Sequence, residues 1–362
     1  LKSGGAFSRF SPRNGVGVRL SASRKTFLKN KKRGGRNIAS HCRRGDTNMQ
    51  RRTFLKSAAS AAMAAALAPE NLFAQAVKTA DKPQLVALYG GSPVEMFARG
   101  IAEMGGMARF VSKGQTVVVK PNIGWDRSPD FGANTNPELV EAVVRECYKA
   151  GAKEVLCFDH TCGNDWDNRY KISGISAAVG RAGGKMVAGN SEVMYVDCEI
   201  PRGKILKQTK VHKLAVNPDV FINIPVLKHH SGAKITCAMK NYMGCVWDRK
   251  WYHTHDMPQC VADYATFQKT TLTIVDAYRV MLDYGPIGRS PEFAPVAKYQ
   301  IISTDIVAAD AASVQIFAAM ARLHKMGTPF GLSDIKYIAE AQSLGVGVAD
   351  LSKIAVKRIS LA

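Results

Sequence analysis

The sequence has no Cys-x-x-Cys pair, no His-Glu-x-x-His, and no apolar run of the roughly 18–20 residues that crosses a bilayer with ordinary flanks. The first absence excludes ferredoxin-type clusters and zinc ribbons. The second leaves any metal site without its strongest helical signature, and the third excludes a multi-pass membrane protein. Acidic residues are scarce at one end only: residues 1–76 hold 2 of the 29 Asp and Glu but 16 of the 50 Lys and Arg. The formal charge of +21 is therefore mostly N-terminal and does not make the body a nucleic-acid binder. What remains is ordinary: 362 residues at 46% hydrophobic and 22% charged can bury a large core. Disorder throughout, collagen and a disulfide-stapled miniprotein are excluded.

Residues 1–48 are rich in Arg, Lys, Ser and Gly, show neither helical nor strand periodicity, and contain no Met before Met49. They read as a disordered basic arm or as upstream sequence from a misplaced start. Residues 49–76 then run through a charged n-region, an Ala-rich apolar stretch at Ser57–Ala68 and a small-residue site at Ala74-Gln75-Ala76, the order of a signal peptide. An ordinary buried helix is the competing reading of the Ala-rich stretch. Arg51-Arg52 followed by Phe54, Leu55 and Lys56 resembles the twin-arginine export signal, with Gln50 in place of the usual Ser or Thr. That resemblance implies a chain handed folded to the twin-arginine translocase. It predicts a periplasmic or otherwise extracytoplasmic protein beginning near Val77, with no permanent membrane anchor and no nucleic-acid partner.

The body, residues 77–362, alternates strand and helix patterns. Leu85–Leu88, Thr116–Lys120, Glu154–Phe158, Val220–Ile224, Leu272–Val275 and Lys298–Ser303 read as buried strands. Helix spacing runs from Ser92-Pro93 through Met104, over Pro137–Ala150, Ile172–Ala182, Pro258–Gln268, Ile306–Ala321 and Ser333–Leu344. Val193–Lys210 alternates loosely, as an antiparallel insertion would. The order predicts an α/β fold, a mostly parallel sheet with helices on both faces and a small antiparallel insertion, in one lobe or two.

In open α/β sheets ligands bind beyond the carboxyl ends of the strands, so the polar residues there are the candidates. Lys120 and Asn122 pair a point charge with an amide suited to a carboxylate or phosphate; a snorkelling Lys and a turn Asn are the structural alternative. Asn136 would cap the Pro137 helix, with free N–H groups facing the same crevice. Lys228-His229-His230 leads to Lys240 and Asn241, and adjacent His side chains on a strand point to opposite faces, which favours His230 as the acid–base group or metal ligand. His253 and His255 would share one face of a strand and, with Asp248, could hold a metal; a solvated polar loop competes. Asp276, ending an apolar strand, is the carboxylate placed to orient or coordinate, whereas capping accounts for Asp305. Of eight cysteines, Cys42 lies in the arm, leaving an odd seven that cannot all pair. Cys162, Cys237 and Cys245 flank the polar segments as ligands, a nucleophile or plain buried thiols.

The ordered motifs resemble an uncharacterised domain-of-unknown-function family of bacterial and archaeal proteins. They are Lys120-Pro121-Asn122, a Pro137 helix ending at Ala150-Gly151-Ala152-Lys153, and Leu227-Lys228-His229-His230 leading to Lys240-Asn241-Tyr242-Met243-Gly244. Ala262-Asp263, Ile274-Val275-Asp276-Ala277, Gly285-Pro286-Ile287-Gly288 and Thr304-Asp305-Ile306-Val307-Ala308-Ala309-Asp310 follow. Members are often described as iron–sulfur proteins because many carry an appended ferredoxin-like module, whose cysteine pattern this chain lacks. Together the residues point to a cationic crevice for a small anionic ligand or a metal or other cofactor. Lys120, Asn122, Lys228 and Lys240 would supply charge and donors, and redox or proton-transfer chemistry is the expected activity. A non-catalytic ligand- or metal-binding protein is the alternative.

Overall fold

The protein is described here from a computed structural model covering residue 72 and residues 83–361 except 164. Apart from Leu72, the arm and the signal sequence lie outside the described residues. The strands are β1 (Leu85–Tyr89), β2 (Thr116–Pro121), β3 (Glu154–Cys157), β4 (Lys185–Met186), β5 (Tyr195–Glu199), β6 (Gln208–His212), β7 (Val220–Ile224), β8 (Val226–His230), β9 (Lys234–Thr236), β10 (Leu272–Met281), β11 (Val296–Ser303) and β12 (Val356–Ser360). The α-helices are α1 (Pro93–Glu103), α2 (Pro137–Lys149), α3 (Trp166–Ile172), α4 (Ile175–Arg181), α5 (Ala238–Asn241), α6 (Lys250–Thr254), α7 (Met257–Ala265), α8 (Ile306–His324) and α9 (Lys336–Ser343).

Ten strands form one sheet in the order β12-β1-β11-β10-β7-β2-β3-β4, with β8 beside β10 and β9 beside β8. The β7–β2–β3–β4 half is parallel throughout, and β11 and β9 supply the antiparallel pairings. Side chains on neighbouring positions of one strand face opposite ways, and the core divides accordingly. Leu85, Ala87, Phe221, Val275 and Ile301 pack with α7, α8 and α9. Val86, Leu88, Val117, Ile222, Ile274 and Ile302 pack with α1, α2 and α4. Helices therefore cover both faces, as the strand–helix alternation implied, and the antiparallel insertion is the separate β5–β6 pair. The described body falls within a single unit, not two lobes.

Helix starts follow from capping chemistry. Ser92 and Glu95 form a reciprocal capping box ahead of α1. Asn136 accepts from the backbone of Glu138 and Leu139 to start α2, and Asp305 does the same with Val307 and Ala308 for α8. Contrary to the sequence reading, one segment among the described residues, helix α8, is long and apolar enough to cross a membrane, yet most of it is buried within the fold.

One element departs from the sequence reading in a way that makes the site. The polar stretch after β7, read from the sequence as candidate residues beyond that strand's end, is a strand in its own right. The chain passes Pro225 and continues as β8, so that β10 pairs first with β7 and then with β8. Pro225 contributes no N–H, but its carbonyl accepts from the Asp276 amide at 2.8 Å, which keeps the interrupted strand against β10. Lys228 and His230 thus sit on a rigid strand at the carboxyl end of the sheet.

Candidate functional site

Beneath the site lies a buried ion pair. Lys120, near the end of β2, is fully buried, and its Nζ lies 2.7 Å from Asp159 Oδ1 beyond β3. The same ammonium donates to the Pro121 carbonyl at 2.8 Å and to Asn241 Oδ1 at 3.2 Å. Asp159 Oδ2 accepts from the Ile123 amide at 2.5 Å, so both charges are compensated as burial demands. Gly244 closes over the pair: a Cβ there would stand 1.8 Å from Asp159 Oδ1 and 2.7 Å from Lys120 Nζ. No other residue type fits that approach.

Above the pair opens a cavity of about 380 Å³ lined by Asn122, Cys162, Lys228, His230, Thr236 and Lys240, among others. Lys228 donates to Asn122 Oδ1 at 2.9 Å and to the Ala133 carbonyl. Burial lowers its pKa to about 7, against smaller opposing effects from Cys162 and Asp159. Lys240, 7% exposed, has the thioether sulfur of Met243 at 2.8 Å as its hydrogen-bond contact, and burial lowers it to about 8. Neither lysine forms an ion pair among the described residues. Thr236 Oγ1 is buried with no hydrogen-bond partner. His230 Nδ1 accepts from the Gly232 and Ala233 amides at 3.0 and 3.1 Å. Its one proton therefore resides on Nε2, which has no partner among the described residues. Burial, aided by Lys240 and Lys228, depresses the imidazole to about 2, so it is a neutral donor. Arg249 rims the cavity, donating to the His160 and Thr161 carbonyls at 2.8 and 2.6 Å and reaching Cys162 Sγ at 3.4 Å.

This arrangement occupies the middle of the region that comparison with known sequences recognises. Residues 117–315, more than half of the chain, match the family described as a domain of unknown function (DUF362). The protein belongs to that family. The DUF362 chain is also 26% identical over 241 residues to the thylakoid-associated protein sll1697 of Synechocystis sp., a match covering 61% of this chain and 71% of the relative. The ordered motifs that suggested such a family all lie within the matched residues 117–315.

Not every residue expected in the crevice of this DUF362 protein reaches it. Lys120 is sealed under the floor by Asp159. Asn136 caps α2, and its amide donates to Asp276 Oδ2 at 2.7 Å, while Asp276 Oδ1 accepts from the Tyr278 amide at 3.0 Å. Both oxygens of Asp276 are thus engaged with backbone, and it ties α2 to β10 without lining the cavity; burial raises its carboxyl to about 6. Asn241 lines the cavity but chiefly braces it, donating to Asn223 Oδ1 at 2.8 Å and accepting from Asn122 Nδ2 at 2.9 Å.

The metal set is not assembled. His253 and His255 do not share a strand face, because Asp248 accepts from the Lys250 and Trp251 amides and starts helix α6 instead. His253 stands at the cavity rim, and His255 stacks on the Trp251 ring at 3.7 Å, its Nδ1 2.8 Å from the Trp251 carbonyl. His230 presents N–H, not a lone pair, to the cavity. Among the described residues no group of three or more His, Cys, Asp or Glu could hold a metal ion.

Sequence reasoning passed over Thr236, Arg249 and the role of Asp310. Asp310 of α8 accepts from the Ala238 and Met239 amides at 2.6 and 3.0 Å, starting the four-residue α5 that carries Lys240 and Asn241. Its appearance in the Asp305–Asp310 motif was the available signal, since capping of α8 explains only Asp305.

Proposed function

We propose that this protein binds a small carboxylate- or phosphate-bearing anion in the Lys228/Lys240 cavity. One observation carries the reading: two buried lysines that form no ion pair among the described residues line a cavity with Thr236, whose buried hydroxyl has no hydrogen-bond partner. Buried polar groups in native proteins are satisfied almost without exception, and an anion beside Lys240 and Thr236 would supply the missing partner, with the His230 N–H as a further donor at the same cavity. Lys228 would act as the proton-transfer group if the protein is an enzyme, because its ammonium is held near 7 and Asp159, the one carboxylate lining the cavity, is committed to Lys120. The same commitment favours the second reading, binding without catalysis, since no free carboxylate lines the cavity among the described residues. We also take the chain to be exported by the twin-arginine route as a folded protein.

Calorimetric titration with oxalate, a planar dianion, tests the site. Binding to the intact protein is expected, with Lys240→Met weakening it at least about tenfold and Thr236→Val by about threefold, the magnitudes of a charged and a neutral hydrogen bond. Absence of oxalate binding, or binding indifferent to Lys240→Met, would sink the reading.

A further inference from the structure

The cavity holds a thiol that anion binding does not use. Cys162 is half-buried on the loop after β3 and lines the same wall as Lys228 and Lys240. Its backbone amide donates to the Gly124 carbonyl at 3.0 Å. The loop is pinned by Asn190, which accepts from Thr161 N at 2.9 Å and donates to the Thr161 and Gly163 carbonyls. The backbone that carries the sulfur is therefore held, and Arg249 Nη1 stands 3.4 Å from Sγ. The remaining cysteines differ: Cys147, Cys157, Cys237, Cys245 and Cys260 are buried, and Cys198 lies on β5 outside the cavity. A half-buried thiol with an arginine at 3.4 Å, lining an open cavity that also holds two lysines, is placed to reach a ligand bound there.

The donors around it are of two kinds. Two ammoniums suit a carboxylate, while a neutral imidazole N–H and an unpartnered hydroxyl suit a carbonyl oxygen that becomes an alkoxide. We propose that Cys162 is a nucleophile that adds reversibly to the carbonyl carbon of a small oxo-carboxylate held by Lys228 and Lys240. The inference rests on the anion site proposed above and names its ligand class. In the step a sulfur lone pair forms the S–C bond and the carbonyl π pair moves to oxygen. The thiol proton passes through solvent in the cavity to that oxygen, so both lysines stay charged on the carboxylate throughout. The product is a hemithioacetal, or its ketone counterpart; nothing is oxidised or reduced, and no group leaves.

Alkylation of the intact protein, mapped by peptide mass spectrometry, tests this. Iodoacetate carries the charge the cavity attracts and iodoacetamide does not. Cys162 is expected to react at least about tenfold faster with iodoacetate, whereas Cys198 shows no such preference, the factor expected when fixed cations steer a small anion. Glyoxylate is expected to protect Cys162 from iodoacetamide at concentrations where acetate, which lacks the carbonyl, does not. Equal rates with the two reagents, or equal protection by glyoxylate and acetate, would overturn the proposal. Both comparisons use the unaltered chain, so a variant that fails to fold does not blunt them. If oxalate binds by calorimetry while Cys162 shows neither preference, the nucleophile is wrong and the anion site stands. If oxalate does not bind, the anion site itself is wrong.

Discussion

Lys228 is held on its strand by Asn122 and the Ala133 carbonyl, with Lys120, Lys240, Asp159 and Cys162 as its charged or titratable surroundings. Its pKa near 7 and that of Lys240 near 8 both lie below the ordinary lysine value of 10.5. The folded chain thus holds fewer protons than the unfolded chain from about pH 7 to pH 10.5, and stability rises with pH across that window. Below pH 7 both groups are charged in either state, and burying their charge costs the most. An anion reverses the balance, because it stabilises the charged lysines that burial disfavours. Affinity for oxalate should therefore be highest below pH 7 and fall at least about tenfold by pH 9, as first Lys228 and then Lys240 lose their protons. Calorimetry across that range reads the effect directly. A flat profile would mean that the lysines do not contact the anion.

Helix α5 is four residues long, too short to persist without help, and its help comes from Asp310 on α8. Removing that carboxylate leaves two buried N–H groups without acceptors, a loss of about 2–4 kcal/mol, and frees the segment that aims Lys240. Asp310→Ala should lower the denaturant midpoint and weaken oxalate binding together. Asp305→Ala removes acceptors at the start of α8 and at the Val348 amide; it should lower the midpoint and leave oxalate affinity near that of the unaltered chain. Equal oxalate affinity in both variants would show that the cap of α5 does not position Lys240. The contrast between these two aspartates also shows where sequence reading stops. Asp305 precedes an apolar helical run, so its role is local and legible, as is Asn136 ahead of Pro137. Asp310 acts on a segment some seventy residues earlier in the chain, which no local pattern displays. Strand β8 is hidden for a similar reason: Val226–His230 ends in Lys-His-His with no apolar alternation, and only its pairing to the far half of β10 makes it a strand. His253 and His255 mislead because i,i+2 spacing means a shared face only in extended chain, and the Asp248 side chain starts a helical turn there. Most strands and helices of the two core layers are legible, since their burial imposes the periodicity that sequence shows; the edge strand β12, most of whose residues are not buried, and the short helix α3 are not read from the sequence.

Seven cysteines fall within the described residues; all are unpaired, five are buried, and only Cys162 and Cys198 are partly accessible. In an oxidising compartment, free thiols survive if they are enclosed before they arrive. A chain threaded across a membrane unfolded would present all seven at once, and disulfides closed among them would conflict with a core that places Cys147 and Cys157 in one layer and Cys237, Cys245 and Cys260 in the other. Transfer after folding avoids this, because the sheet and its two helix layers already seal five of the seven. Under the proposed twin-arginine export, the thiol arrangement of the body requires folding first and crossing second. Protein recovered from the periplasm should titrate with a thiol reagent as about two groups when native and as all seven body thiols in denaturant, consistent with burial limiting access. Changing Arg51-Arg52 to Lys-Lys should hold the chain in the cytoplasm, and rerouting it through an unfolded-chain translocase should yield disulfide-linked, misfolded material. Accumulation of the Lys-Lys variant in the periplasm, or native thiol-complete protein from the unfolded route, would refute the proposed order.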